Sequence, residues 1–134
     1  MGVGKDDRLA HALLTAAIRE TKEEAGLLLA SGVDHNSLRY IGRAITPVFS
    51  PVRYHARFFA AAEHLFEGDI GGDGELHDLH WASLDSAMQY PLIDVTAFML
   101  HELRLALDAD RTRLPLFAYY GNRPRVCYRP VAAK

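Results

Sequence analysis

Between Asp7 and Gly26 the chain contains neither glycine nor proline. That run, Arg8–Ala25, is made largely of Ala, Leu, Glu, Arg and Lys, the residues with the highest intrinsic helix propensity. A long helix is its natural state, and it has to bury one face. Asp6 and Asp7 are N-cap residue types, and Gly26 suits the position just past the last turn, where the backbone turns left-handed. At 100° per residue, Leu14, Ile18 and Ala25 fall on one side of this helix. Glu20, Glu23 and Glu24 fall within an arc of about 100° on the other.

The rest of the chain reads as strands and shorter helices. Leu27–Ala30 predicts a short buried strand, followed by a polar turn from Ser31 to Ser37. Leu38–Ile45 and Arg53–Ala62 alternate in strand fashion, with a proline-containing loop, Thr46–Pro51, between them. The glycine-rich stretch Gly68–Gly74 reads as a loop, and Leu76–Ala82 is a further strand candidate. Ser83 is placed to cap a short helix ending before Pro91. Asp94 is placed to cap a longer one with Val95, Phe98, Met99, Glu102, Leu103 and Leu107 at helical spacing. From Arg111 onward the segment combines five arginines with aromatic residues and reads as a basic tail. The expected fold is α/β or α+β in a single domain over residues 1–134.

Composition narrows the function classes. The 134 residues are 49% hydrophobic with a formal net charge of −2, which is not the composition of a disordered chain. No apolar run approaches the roughly 18 residues of a membrane span, and Met1–Asp7 lacks the apolar core of a signal peptide. The expectation is a cytoplasmic protein without a membrane partner. The lone Cys127 excludes an internal disulfide framework and a thiolate-rich zinc site. Fifteen basic against seventeen acidic residues give no whole-chain reason to expect a nucleic acid polymer as partner.

Glu20, Glu23 and Glu24 repel one another, and i,i+4 like-charge pairs cost a helix roughly 0.2–0.5 kcal/mol each. Arg19 and Lys22 offset part of this, which makes a solvated, salt-bridged face the plain reading. The functional reading is a site for hard divalent cations, which prefer carboxylate oxygens. The string Arg19-Glu20-Thr21-Lys22-Glu23-Glu24-Ala25-Gly26-Leu27 matches R-E-x-x-E-E-x-G-L at all six diagnostic positions. It resembles the second half of the Nudix box, the signature of hydrolases acting on nucleoside diphosphates linked to another moiety. Glu75 precedes Trp81 by six residues, a spacing similar to a second pattern found in Nudix proteins. Thr46-Pro47, Arg53-Tyr54 and Arg57-Phe58-Phe59 resemble a bacterial branch similar to coenzyme A diphosphatases.

The resemblance implies a Nudix-like α/β/α sandwich with a mixed β-sheet. It implies Mg²⁺ or Mn²⁺ held by Glu20, Glu23 and Glu24, with Arg19 orienting the carboxylates and Glu20 or Glu75 as general base. The implied substrate is a small nucleoside diphosphate derivative, with coenzyme A or acyl-coenzyme A as the alternative; no substrate-binding residue is assigned. The first half of the box does not match, because His11 and Lys5 stand where it has Glu and Gly. Strands that precede the box in the family are also missing here, which implies a truncated form or an edge supplied by another subunit, as in a homodimer. A rival expectation is therefore a non-catalytic Nudix-like module or incomplete domain. His77 and His80 would point to opposite faces of a strand and are not expected to chelate a metal together. Arg111, Arg113, Arg123, Arg125 and Arg129 could meet a diphosphate, but a solvated basic tail is the plainer account.

Overall fold

The computed structural model describes residues 5–45, 55–71, 74–109, 113–121 and 123–130. They form two compact units, Met1–Arg39 with Ala61–Trp81, and Tyr40–Ala60 with Ala82–Lys134. Both helices and sheets are present, so the chain is of the general α+β class.

The first unit is built on helix α1 (Lys5–Ala25). Its apolar side is carried by Leu14, which is buried, and by Ile18 and Ala25, which are half-buried. Gly26 ends the helix at φ 76°, the left-handed conformation that glycine adopts without strain. Strand β1 (Leu28–Leu29) follows, then a 3₁₀ turn at His35–Ser37 whose leading residue, Asp34, accepts a hydrogen bond from the Asn36 N–H. The His35 ring stacks on His11 of α1 at 5.5 Å. A second 3₁₀ turn, Glu63–Leu65, leads into a short strand that returns antiparallel to β1, with Leu28 opposite Glu67 and Leu29 opposite Phe66.

The second unit is a four-stranded mixed sheet with helices. In chain order its strands are β2 (Arg39–Ile45), β3 (His55–Ala60), β5 (Arg113–Tyr120) and β6 (Arg123–Pro130), the short strand Phe66–Glu67 of the first unit being β4. They lie in the order β3-β2-β5-β6; β5 runs parallel to β2 and antiparallel to β6. Helix α2 (Leu84–Ala87) is capped by the Ser83 hydroxyl, which accepts from the Ser86 N–H, and α3 (Asp94–Asp108) follows. The core joins Met99 and Ala106 of α3 to Ile41, Ala44 and Phe117 of the sheet, with Phe58, Ala60, Val95, Phe98 and Leu103 packed around them. Phe98 and Phe117 meet at 5.1 Å between ring centres. Burying an aromatic side chain of this kind contributes roughly 1.5–3 kcal/mol. Glu102 lies in the buried stripe of α3 and accepts a hydrogen bond from the Tyr128 hydroxyl at 2.6 Å. Pro115 is buried in the central strand β5, where it has no N–H to offer, and Gly42 of β2 lies against it. A side chain at Gly42 would come within 2.8 Å of the proline ring.

Several expectations are corrected. Leu76–Ala82 forms no strand: Gly74 and Asp78 both take positive φ, 93° and 57°, and Asp is one of the few residues that tolerates it. The buried strand expected at Leu27–Ala30 is only Leu28–Leu29, and Leu28 is exposed. Ile93, not Asp94, is the cap of α3; Asp94 is its first residue, where its charge suits the positive end of the helix. Ala106 replaces Leu107 in the core, Leu107 being 65% exposed. The basic segment after Arg111 is a β-hairpin over its described residues. The expected loop at Thr46–Pro51 lies outside the described residues, as do Arg53 and Tyr54 at the start of the expected strand Arg53–Ala62.

Candidate functional site

Arg19, Glu20, Glu23 and Glu24 occupy the last two turns of α1, and all four are exposed. Helical spacing places the three carboxylates on one side, as the sequence indicates. Arg19 reaches Glu23, with Nε 3.9 Å from Oε1, a solvent-exposed i,i+4 pair of the kind that contributes about 0.3–0.5 kcal/mol. The last turns of a helix carry its negative dipole end, where cations are favoured and carboxylates are not. Three carboxylates there compound their mutual repulsion, and Lys22 is the only basic residue in the last turn.

The end of this helix is tied to the glycine-rich segment. The Gly26 N–H donates to the Lys22 carbonyl at 3.0 Å, and the Gly71 N–H donates to the Ala25 carbonyl at 2.8 Å. The second bond satisfies one of the carbonyls a helix leaves without a partner at its end. A side chain at Gly26 would place Cβ 2.2 Å from the Gly71 carbonyl oxygen. The glycine of the R-E-x-x-E-E-x-G-L string is thus required twice, by its φ and by the loop packed against it. Ala30 continues the attachment by donating to the Leu65 carbonyl at 2.8 Å. Glu75, four residues beyond Gly71, is exposed in the same unit.

The donor set suits a hard divalent cation in its chemistry, being three carboxylates. Among the described residues, however, no group of three His, Cys, Asp or Glu side chains is gathered closely enough to hold a metal ion. Helix α1 therefore groups Arg19, Glu20, Glu23 and Glu24 on one helix end, and Glu75 is not drawn into a ligand cluster with them. His77 and His80 lie in irregular chain; His80 Nδ1 is 2.7 Å from the Asp78 carbonyl oxygen. Cys127 is exposed on β6. No helix among the described residues is long and apolar enough to cross a membrane.

A second cluster of charge is not evident from the sequence. Arg43 and Arg57 act together on two neighbours in the four-stranded sheet. Partial burial holds the His55 imidazole below its ordinary value, and the two guanidiniums lower it further. Burial raises the Tyr40 phenol, and the same two arginines oppose that rise. The signal available in the sequence is the alternation of Arg with apolar residues in these strands, which marks a face but not which faces are shared.

No family model matches the chain, and no curated protein or solved structure matches it.

Proposed function

We propose that the chain is a cytoplasmic Nudix-type hydrolase that uses Mg²⁺ or Mn²⁺ to cleave the phosphoanhydride bond of a nucleoside diphosphate linked to another moiety. Coenzyme A or acyl-coenzyme A is the alternative substrate. The observation that carries this reading is the placement of Glu20, Glu23 and Glu24 on one side of α1 at its negative end, closed by a glycine that the adjoining loop requires. A cation would relieve both the mutual repulsion and the unfavourable dipole. The reading includes a Nudix-like α/β/α sandwich as the fold.

Glu20, Glu23 and Glu24 would hold the metal, which supplies charge neutralisation of the diphosphate and a more acidic bound water. Arg19 fixes the Glu23 carboxylate by their ion pair and acts as a positioning residue. Glu20 or Glu75 takes the proton from the attacking water. The Ala25–Gly71 hydrogen bond keeps the segment leading to Glu75 attached at the helix end.

A non-catalytic metal-blind module is the second reading, favoured by the dispersed carboxylates. Thermal melting with increasing Mn²⁺, run beside an assay for nucleoside monophosphate release, separates the two. The hydrolase shows a rise in melting temperature that Glu23→Gln and Glu24→Gln remove, together with release that both variants abolish. Turnover unchanged in both variants refutes the assignment, and a flat melting temperature without turnover leaves the module.

A further inference from the structure

The near-neutral total conceals two opposite halves. The unit Met1–Arg39 with Ala61–Trp81 carries five Lys/Arg against twelve Asp/Glu, whereas the unit Tyr40–Ala60 with Ala82–Lys134 carries ten against five. In the four-stranded sheet the segregation is sharper. Strands β2, β3, β5 and β6 hold seven arginines, counting Arg39 at the boundary between the units, and no Asp or Glu. The described acids of the second unit, Asp85, Asp94, Glu102 and Asp108, all belong to α2 and α3.

Side-chain alternation assigns these arginines to a face. Phe58 and Ala60 pack in the core, so Arg57 and Phe59 take the opposite side of β3. Ala44 and Phe117 are core residues in register, so the adjacent pair, Arg43 and Leu116, is turned away from it. Tyr128 reaches Glu102 on α3, so Arg123, Arg125 and Arg129 are on the face of β6 away from that helix. Ile41 and Ala44 of β2 both reach the core although three residues apart, so the alternation slips once between them and leaves Tyr40 and Arg43 on one side; the Tyr40 ring contacts that of Phe59 at 5.5 Å there. The cations span roughly 14 Å across the four strands and about 20 Å from Arg123 to Arg129 along β6. Two guanidiniums suffice for one diphosphate; this array is wider than that. Arginines with a half-buried aromatic pair among them, on a sheet without acids, suit successive phosphates together with base stacking.

We propose that the face of the four-stranded sheet turned away from α3 binds a single-stranded nucleic acid. The strand's phosphates lie along Arg43, Arg57 and the arginines of β6, and a base stacks at Tyr40 and Phe59. This inference uses the second unit alone and does not depend on α1 holding a metal; it needs this face open, and so stands as the alternative to a second helix layer of the sandwich over it.

Fluorescence anisotropy of a labelled 12-nucleotide oligo(dT) with the full chain, without divalent metal, tests it. Saturable binding is expected, with log affinity falling against log salt at a slope of about −2 to −3, the value for three or four phosphate contacts on a single strand. Arg123→Ala with Arg129→Ala, both exposed positions, weakens binding about tenfold and flattens the slope by about 1.4. Phe59→Leu weakens binding with the slope unchanged. Arg104→Ala, a loss of one positive charge on α3, leaves binding as it was. Absence of saturable binding, or a double variant that binds like the unsubstituted chain, overturns the proposal. So does low-salt self-association abolished by Arg129→Glu without oligonucleotide binding, which assigns the face to the acidic unit of a second copy.

Discussion

Replacement of Gly26 by alanine probes the joint between α1 and the glycine-rich segment. Gly26 has φ 76°, which costs an L-residue roughly 1–2 kcal/mol. The new Cβ would lie 2.2 Å from the Gly71 oxygen and 2.9 Å from its carbonyl carbon, distances that no real side chain tolerates. The loop must withdraw by about 1 Å to restore ordinary contact, and the Gly71–Ala25 hydrogen bond is lost with it, for about 0.5–1.5 kcal/mol net. The total is about 1.5–3.5 kcal/mol. Gly32 provides the internal control, having φ 82° and nothing within 4 Å of where a methyl group would stand, so Gly32→Ala carries the backbone cost alone. Urea unfolding followed by circular dichroism measures both. With a slope near 2 kcal/mol per molar, Gly26→Ala lowers the midpoint by about 0.75–1.75 M and Gly32→Ala by about 0.5–1 M. Equal midpoints for the two variants would refute the packing of the loop against the helix end.

Tyr128→Phe removes a donor from the buried Glu102 carboxyl and is expected to cost about 1–3 kcal/mol. Combining it with Glu102→Leu costs less than the two single changes added together, because both remove the same hydrogen bond; a double variant whose loss equals that sum contradicts the pairing. His55 is held below its ordinary value of 6.5, so the folded chain binds fewer protons than the unfolded one just under that pH. Its contribution to stability is therefore undiminished above 6.5 and falls as pH drops toward the lowered folded value. Urea midpoints at pH 7.5 and 5.5 should differ less in His55→Gln than in the unsubstituted chain, and a larger difference reverses the sign of the argument.

Local elements are legible in the sequence where one period dominates. Arg8–Ala25 has a helix-forming composition and a glycine at its end, and α1 and Gly26 follow it closely. Leu38–Ile45 alternates, and β2 covers Arg39–Ile45. The stripe Val95, Phe98, Met99, Glu102 and Leu103 places α3, but sequence spacing does not show that Glu102 is buried, because its partner Tyr128 is 26 residues away on another element. Leu76–Ala82 misleads for a local reason: Asp78, at positive φ, breaks the backbone where the composition suggests a strand. For the candidate site, the helix end carrying Arg19, Glu20, Glu23 and Glu24 is readable from spacing. The contact of Gly71 with Gly26 is not, since it joins segments separated by 45 residues. Net charge misleads most, because a sum of −2 is blind to where its terms sit.

Strand β6 forms one border of the sheet, and all eight of its residues are exposed. Such a border offers its outer backbone groups to any passing strand, and chains that present one freely tend to aggregate. Pro124 and Pro130 deprive this border of an N–H near each of its ends, and Arg123, Arg125 and Arg129 place like charges wherever two copies would align. The cations of β6 thus guard the molecule against its own replication as a cross-strand template, and a variant stripped of all three would trade solubility for stickiness at the same edge.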